Sequence, residues 1–166
     1  KNLNPKTEQV VMIESIDEAQ YVWSHKAKIA LFLSAMRHFA QHLEGLGIPL
    51  QYIKQSPKSI ADTLREILKK DNCTHLVCLE PGEYRLKCEI ETLVSELGIE
   101  LEMQEDPHFY CSRHEFSNWV AGKKELRLEY FYRLMRKTHN ILVDREGNPE
   151  GGQWNFDRDN RKPFPK

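Results

Sequence analysis

Apolar residues along the chain alternate between short continuous runs and longer stretches with helical spacing. Residues 9–14 form a short, mostly apolar run, which predicts a buried strand. From about residue 26 to residue 46, apolar side chains recur every three or four positions, as on the buried face of a helix. The residues of this stripe are Ile29, Phe32, Leu33, Met36, Phe39, Ala40 and Leu43. Gly47 is expected to end the helix, and residues 49–54 form the next predicted strand.

The same order of strand and helix then repeats. Ser56 is a predicted N-cap and Pro57 a first helical residue, for a helix with Ile60, Leu64, Ile67 and Leu68 inward. Residues 74–79 form a strand, and residues 84–97 form a helix with Leu86, Ile90, Leu93, Val94 and Leu97 inward. Gly98 ends this helix before a strand at residues 99–104. The alternation predicts an α/β fold of the Rossmann-like kind, an open parallel sheet flanked by helices.

After Pro107 the pattern becomes helical only. Ser112 and Glu115 have the spacing of a capping box, which predicts a short helix containing Phe116 and Trp119. A second helix is predicted over roughly residues 124–139 and is rich in aromatic residues. The chain then ends in a polar stretch with two prolines, typical of an interdomain linker. We therefore expect a helical extension on the carboxyl side of the α/β domain.

Composition narrows the class of protein. The 166 residues carry a net charge of −1, so attraction to nucleic acid would have to come from a local patch or another domain. The four cysteines form no C-x-x-C pair, which fits neither a zinc knuckle nor a disulfide scaffold. No apolar run approaches the ~20 residues of a membrane span, and no signal peptide is visible. The sequence predicts a soluble cytoplasmic protein with no membrane partner.

Acidic side chains follow the predicted strands at their carboxyl ends, where open α/β sheets bind ligands. They are Glu14, Asp17 and Glu18 after the first strand, Glu80 and Glu83 after the third, and Glu105 and Asp106 after the fourth. Neither a G-x-G-x-x-G fingerprint nor a Walker loop is present. An acidic rim repels phosphate, whereas a polyol or a heterocycle with N–H groups suits carboxylate acceptors. The alternative is that these acids are solvated loop residues and helix caps.

No catalytic or metal-binding motif is recognisable. His38 and His42 have a spacing that can chelate a metal, but no H-E-x-x-H frame surrounds them. No serine lies in a G-x-S-x-G elbow. We expect no catalytic residue and no metal site. Two other classes are alternatives, but the features that each requires are not visible in the sequence. A stand-alone small-molecule-binding module should have an intact first strand, and a nucleotidyl-transferring enzyme should have a phosphate-cradling glycine after that strand.

Three stretches resemble one known family in order and spacing along nearly all of the chain. They are KIALFLSAMRHF at residues 28–39, EPGEYR at residues 80–85, and LRLEYFYRLMR at residues 126–136 followed by GGQWNFD at residues 151–157. Together they resemble the deoxyribodipyrimidine photolyase-related proteins, which are iron–sulfur bacterial photolyases and cryptochromes of the (6-4) photolyase type. Full members repair (6-4) photoproducts or act as blue-light receptors.

The resemblance implies a domain plan and a set of cofactors. Residues 1–140 would be a photolyase-type α/β antenna domain, and residues 141–166 would begin the interdomain linker. The helical domain that holds FAD and a 4Fe–4S cluster is absent from this chain, as is the family's opening strand with its Gly-Asp-Gln-Leu turn. Several members carry an antenna, 6,7-dimethyl-8-ribityllumazine, on the α/β domain. The implied partners are the protein's own helical domain and, through the parent protein, damaged DNA.

The resemblance also implies antenna-contacting residues. Residues 12–18 look like the family's antenna-contacting strand and loop, in which Glu18 is the expected polar contact. Ile13 and Phe32 are expected to pack against the ring, with Glu14 and Ser15 behind them. Two alternatives exist for Phe32, since it could exclude the antenna by its bulk or be a core residue of its helix.

The basic tail is a further candidate for contact with DNA. Arg158, Arg161 and Lys162 could touch the phosphate backbone, with solvated linker charges as the alternative.

Overall fold

The computed structural model describes residues 3–156 of the chain. It divides the chain into two compact units, Lys1–Gln104 and Glu105–Lys166. The predicted contacts of Arg158, Arg161 and Lys162 lie outside the described residues.

The first unit alternates strands and helices. Its elements are β1 (Val10–Ser15), α1 (Ile16–Tyr21), α2 (Lys26–Gly45), β2 (Leu50–Ser56), α3 (Ile60–Lys70), β3 (His75–Leu79), α4 (Tyr84–Leu97) and β4 (Glu100–Gln104). The strands pair in parallel, β1 with β2 and β3 with β4. These two pairs are separate two-stranded sheets in the described part of the chain. Parallel strand pairs flanked by helices confirm the predicted α/β, Rossmann-like fold class.

Both strand pairs pack against one hydrophobic cluster. Its buried members are Leu64 and Leu68 of α3 and Leu93 of α4, of which Leu93 has no exposed surface. Partly buried residues from both pairs cover this cluster, among them Val11, Ile13, Leu76 and Ile99. The inward stripes predicted for α3 and α4 are therefore confirmed. The cluster joins the elements whose carboxyl ends carry the acidic residues.

The inward stripe predicted for α2 is wrong at two of its aromatic positions. Phe32 and Phe39 are exposed, Phe32 by 60%, and only Ala40 and Leu43 of this helix are buried. α2 packs against β2, which has seven residues. At 1.5 Å per residue, the 20-residue helix is about 30 Å long, longer than a seven-residue strand. Its buried residues accordingly lie near its carboxyl end.

Side-chain hydrogen bonds explain why other helix boundaries differ from the predicted ones. The N-cap of α3 is Ser59, whose hydroxyl accepts a bond from the Asp62 amide, and not the predicted Ser56. Ser56 instead bonds the hydroxyl of Thr63 at 2.7 Å. Helix α1 was not predicted at all. Ser15 caps it by accepting a hydrogen bond from the Glu18 amide.

The second unit contains α5 (Arg113–Val120), α6 (Leu128–Thr138) and a short 3₁₀ helix at Glu150–Gly152. Ser112 and Glu115 form the predicted capping box. The predicted start of the second helix at residue 124 is wrong, because Arg127 has an extended backbone (φ −112°, ψ 112°) and the helix begins only at Leu128. Within residues 3–156, no helix combines the length and the apolar character needed to cross a membrane.

An aromatic cluster packs α5 against α6. The rings of Phe116, Trp119 and Phe131 lie with their centroids 4.9–5.8 Å apart. On α6, Arg133, Arg136 and Lys137 lie over the ring of Trp154. Packing therefore accounts for Phe131 on α6, whereas Tyr130 and Tyr132 of the same helix are exposed. The predicted change from α/β domain to linker at residue 140 stays a prediction.

Candidate functional site

The segments that follow β1 and β3 meet around one guanidinium, that of Arg85. Its Nη2 donates to both carboxylate oxygens of Glu18, at 2.9 and 2.7 Å. Its Nε and Nη2 donate to Glu83 at 3.0 and 3.2 Å, and its Nη1 donates to Glu89 at 2.9 Å. The ring of Tyr21 lies 4.4 Å from the guanidinium carbon. We call these five residues the Arg85 cluster.

The local sequence places each member of the Arg85 cluster. Glu18 lies in the first turn of α1, where a negative charge interacts favourably with the helix dipole. Ser15 fixes this turn, because its hydroxyl caps α1 and also donates to the carbonyl of Lys58 at 2.8 Å. Glu83 is the residue just before α4, and Glu89 lies on that helix, one turn after Arg85. The cluster therefore joins α1 to the beginning of α4.

The Arg85 cluster has more acceptors than donors. Three carboxylates surround one guanidinium, and these contacts raise the pKa of Arg85, with the bond to Glu18 as the largest cause. The side chains of Glu18 and Glu83 remain 22% and 49% exposed. Oxygen Oε2 of Glu89 is buried without a hydrogen-bond partner. A group with this excess of negative charge can accept hydroxyl or N–H donors, and it disfavours phosphate.

A second cluster links β1, α2 and β2. The carboxylate of Glu14 accepts hydrogen bonds from Arg37 Nε and Nη2, at 2.8 and 3.0 Å, and from the hydroxyl of Tyr52. The bond from Arg37 is the largest cause of the lowered pKa of Glu14, about 2. Burial, followed by the bond to Glu14, raises the pKa of Tyr52 to about 12. We call these three residues the Glu14 triad. Within it, the carboxylate of Glu14 is engaged by Arg37 and Tyr52 and so has a structural role in the fold.

The predicted site residues have different surroundings. Glu18 lies in the Arg85 cluster, and Glu14 is only 3% exposed in its triad. Ser15 caps α1, and Ile13 packs against the hydrophobic cluster. Phe32 lies exposed on α2, with the Lys28 ammonium 6.0 Å from its ring centroid. Of these five, Glu18 is the polar side chain still reachable by a ligand, and Phe32 is the accessible ring.

Sequence reasoning missed Arg85, Tyr21 and Glu89. Arg85 stands in the EPGEYR stretch, which served only to identify the family. A signal was available, since acidic residues gathered after the carboxyl ends of strands are stabilised by a neighbouring cation. No motif, however, indicates which basic residue supplies it.

Within residues 3–156, no group of three His, Cys, Asp or Glu residues could hold a metal ion. All four cysteines are unpaired, and burial raises the pKa of Cys73 and Cys78, which keeps both thiols protonated near neutral pH.

Similarity to known proteins extends over nearly the whole chain. A family model described as deoxyribodipyrimidine photo-lyase-related protein matches residues 1–166. A curated relative, a (6-4) photolyase from Agrobacterium fabrum (strain C58), is 39% identical over 165 residues. The match includes 97% of this chain and 32% of the relative, so the chain spans about a third of that protein's length.

Proposed function

The chain belongs to the deoxyribodipyrimidine photolyase-related family, and we propose that it is the antenna-binding and scaffolding part of a light-dependent DNA repair photolyase or blue-light cryptochrome. The observation that carries the antenna role is the Arg85 cluster, in which the accessible carboxylate of Glu18 lies where ligands bind in α/β folds.

The proposed antenna is 6,7-dimethyl-8-ribityllumazine, and the chemistry of the cluster fits it. A ribityl chain carries hydroxyl donors, which the carboxylates of Glu18 and Glu83 accept. It carries no phosphate, in agreement with the excess negative charge around Arg85. Bound there, the lumazine would supply absorption of blue light and transfer of excitation energy to FAD. The protein's contribution is to hold and orient it.

Each predicted residue has a role in this proposal. Glu18 accepts hydrogen bonds from the ribityl hydroxyls, and Phe32 offers an exposed ring to the lumazine plane. Ile13 packs against the hydrophobic cluster and so supports β1, the strand that leads to Glu18. Ser15 holds the first turn of α1, and Glu14 fixes the carboxyl end of β1 through its triad. Three of the five residues thus act by supporting the other two.

The other functions are assigned to the rest of the parent protein. We propose that FAD and a 4Fe–4S cluster are held by a helical domain of the parent protein, a proposal supported by this chain matching only 32% of its relative. That domain and, through the parent, damaged DNA are the proposed partners. Unpaired cysteines support a reducing, cytoplasmic location.

The proposal predicts saturable binding of 6,7-dimethyl-8-ribityllumazine to the 166-residue chain, measured by quenching of the ligand's fluorescence. Glu18→Ala is expected to weaken binding about tenfold, the typical effect of losing a hydrogen bond to a charged group. Asp17→Ala is the matched control, because Asp17 is exposed in the same turn of α1 and carries the same charge. This control should stay within about twofold of the original affinity.

Flavin mononucleotide tests the charge argument in the same assay. It has a ribityl chain that ends in a phosphate, so the carboxylates should reject it. Equal binding of both compounds would contradict the role of Glu18 and Glu83. Equal losses in Glu18→Ala and Asp17→Ala would mean that net charge, and not a contact to Glu18, controls affinity.

A further inference from the structure

We infer that Arg85 is a positioning residue of the antenna site, which holds α1 and the carboxylate of Glu18 in the orientation that receives the ligand. This inference rests on the proposed function for its ligand, but the positioning itself is a property of the chain alone. It is carried by the contacts of Arg85 to α1 on one side and to α4 on the other.

Arg85 is itself held rigidly. Glu83 accepts hydrogen bonds from its Nε and Nη2, and Glu89 accepts one from its Nη1. The guanidinium is therefore fixed by residues close to Arg85 in the chain. The Tyr21 ring covers the guanidinium at 4.4 Å. An arginine fork fixed at three nitrogens defines both the position and the plane of its partner, which a lysine ammonium does not.

Helix α1 needs such an anchor. It has six residues, none of them buried, and isolated helices of this length are not stable in water. Besides its contact with β2, α1 is fixed by the Ser15 cap at its start and by the contacts of Glu18 and Tyr21 to Arg85. The orientation of Glu18 therefore depends on Arg85 more than on the propensity of α1.

The geometry leaves Glu18 able to accept further hydrogen bonds. A carboxylate has about four lone-pair directions, and Nη2 of Arg85 uses one on each oxygen. With 22% of its side chain exposed, Glu18 can accept a further hydrogen bond from a hydroxyl donor. Because the carboxylate is already ordered, a ligand need not bear the cost of immobilising it. Arg85 thus raises the affinity for the ligand by ordering Glu18, without contacting the ligand itself.

The first test uses the chain without any ligand. Arg85→Gln should speed amide hydrogen exchange in α1 about tenfold, while α3 and the carboxyl half of α4 keep their protection. Arg65→Gln is the matched control, since Arg65 forms a comparable ion pair with Glu96, at 2.6 Å, away from the cluster. That variant should leave exchange in α1 unchanged. Unchanged exchange in Arg85→Gln would overturn the inference, whatever the ligand results show.

The second test is a double-mutant cycle on binding of 6,7-dimethyl-8-ribityllumazine. Arg85→Gln alone should weaken binding about tenfold, and Arg85→Lys should be intermediate, at about threefold. In the Glu18→Ala background, Arg85→Gln should have no further effect, because Arg85 acts through Glu18. An equal loss in both backgrounds would overturn the positioning role and indicate a direct contact.

The outcomes separate the inference from the proposed function. If the unmodified chain binds no lumazine while Arg85→Gln still loosens α1, the antenna role fails and the positioning of Glu18 stands. If lumazine binds and Glu18→Ala weakens it, but Arg85→Gln affects neither exchange nor affinity, the antenna role stands and the role of Arg85 fails.

Discussion

Glu14→Gln is expected to lower the free energy of unfolding at neutral pH by about 2 kcal/mol. A pKa lowered from 4.5 to about 2 corresponds to roughly 3 kcal/mol of preference for the ionised form in the fold. The partly exposed Arg37 side chain is screened by solvent, which reduces this figure. Glutamine keeps the shape of Glu14 but loses the charge that both Arg37 and Tyr52 bond. Urea denaturation at pH 7 measures the difference.

The pH dependence of this difference has a defined sign. Because the pKa of Glu14 is lower in the fold than its ordinary 4.5, its contribution is fully present above that value. It is lost as the pH falls toward about 2. The stabilities of the original chain and Glu14→Gln should therefore converge between pH 4.5 and pH 2.

Tyr52 gives a second pH dependence at alkaline pH. Because its pKa is raised from 10 to about 12 in the fold, its contribution to stability is present below pH 10 and is lost as the pH rises toward 12.

Glu66→Gln is the control for the Glu14 prediction. Glu66 pairs with Lys58, and both side chains are well exposed, so this pair should contribute no more than about 0.5 kcal/mol. A loss in Glu14→Gln no larger than the loss in Glu66→Gln would show that the Glu14 triad does not stabilise the fold. If the difference in unfolding free energy between the original chain and Glu14→Gln stayed constant from pH 7 to pH 2, the effect of the substitution would not come from the Glu14 charge.

The sequence was informative where periodic burial determines structure. Helix α4 has the predicted bounds, and Leu64 and Leu93 lie inward as their spacing indicates. The sequence was less informative where a single side-chain hydrogen bond determines where a helix begins. Helix α1 has six residues and no buried face, so it leaves no periodic signal, and its start depends on the Ser15 cap. Phe32 has the periodicity of a core residue but lies on a part of α2 that the described unit does not cover.

The candidate site was predictable only in part for a related reason. Glu18 follows a strand end, and that position identifies it both by topology and by family resemblance. Its partner Arg85 lies 67 residues away along the chain, and only the packing of α1 near α4 brings the two together. The same holds for Glu14, Arg37 and Tyr52, which stand on three elements. Hydrophobic patterning indicates which face of an element is buried, but it does not specify which charges meet.

Leu93→Ala is expected to have the largest effect on stability, a loss of about 3 kcal/mol in the free energy of unfolding. Leu93 has no exposed surface, and substitutions of this kind remove packing contacts and leave a cavity. Leu93→Met keeps most of the volume and should cost less than about 1.5 kcal/mol. Leu46→Ala, at the C-cap of α2, should stay within about 0.5 kcal/mol, because this side chain is 62% exposed. Urea denaturation of the three variants at pH 7 measures these differences.

The position of Leu93 connects this stability to the proposed site. The cluster that contains it is covered by residues of β1 and β3, the strands whose carboxyl ends lead to Glu18 and Glu83. A cavity there should therefore increase hydrogen exchange in β1 and β3 together, because both lose the same support. The Glu14→Gln variant removes a contact of β1 with α2 and β2, so its effect on exchange should be confined to those elements. If Leu93→Ala increases exchange in only one of the two strand pairs, the cluster does not act as their common core, and the two halves of the site are supported independently.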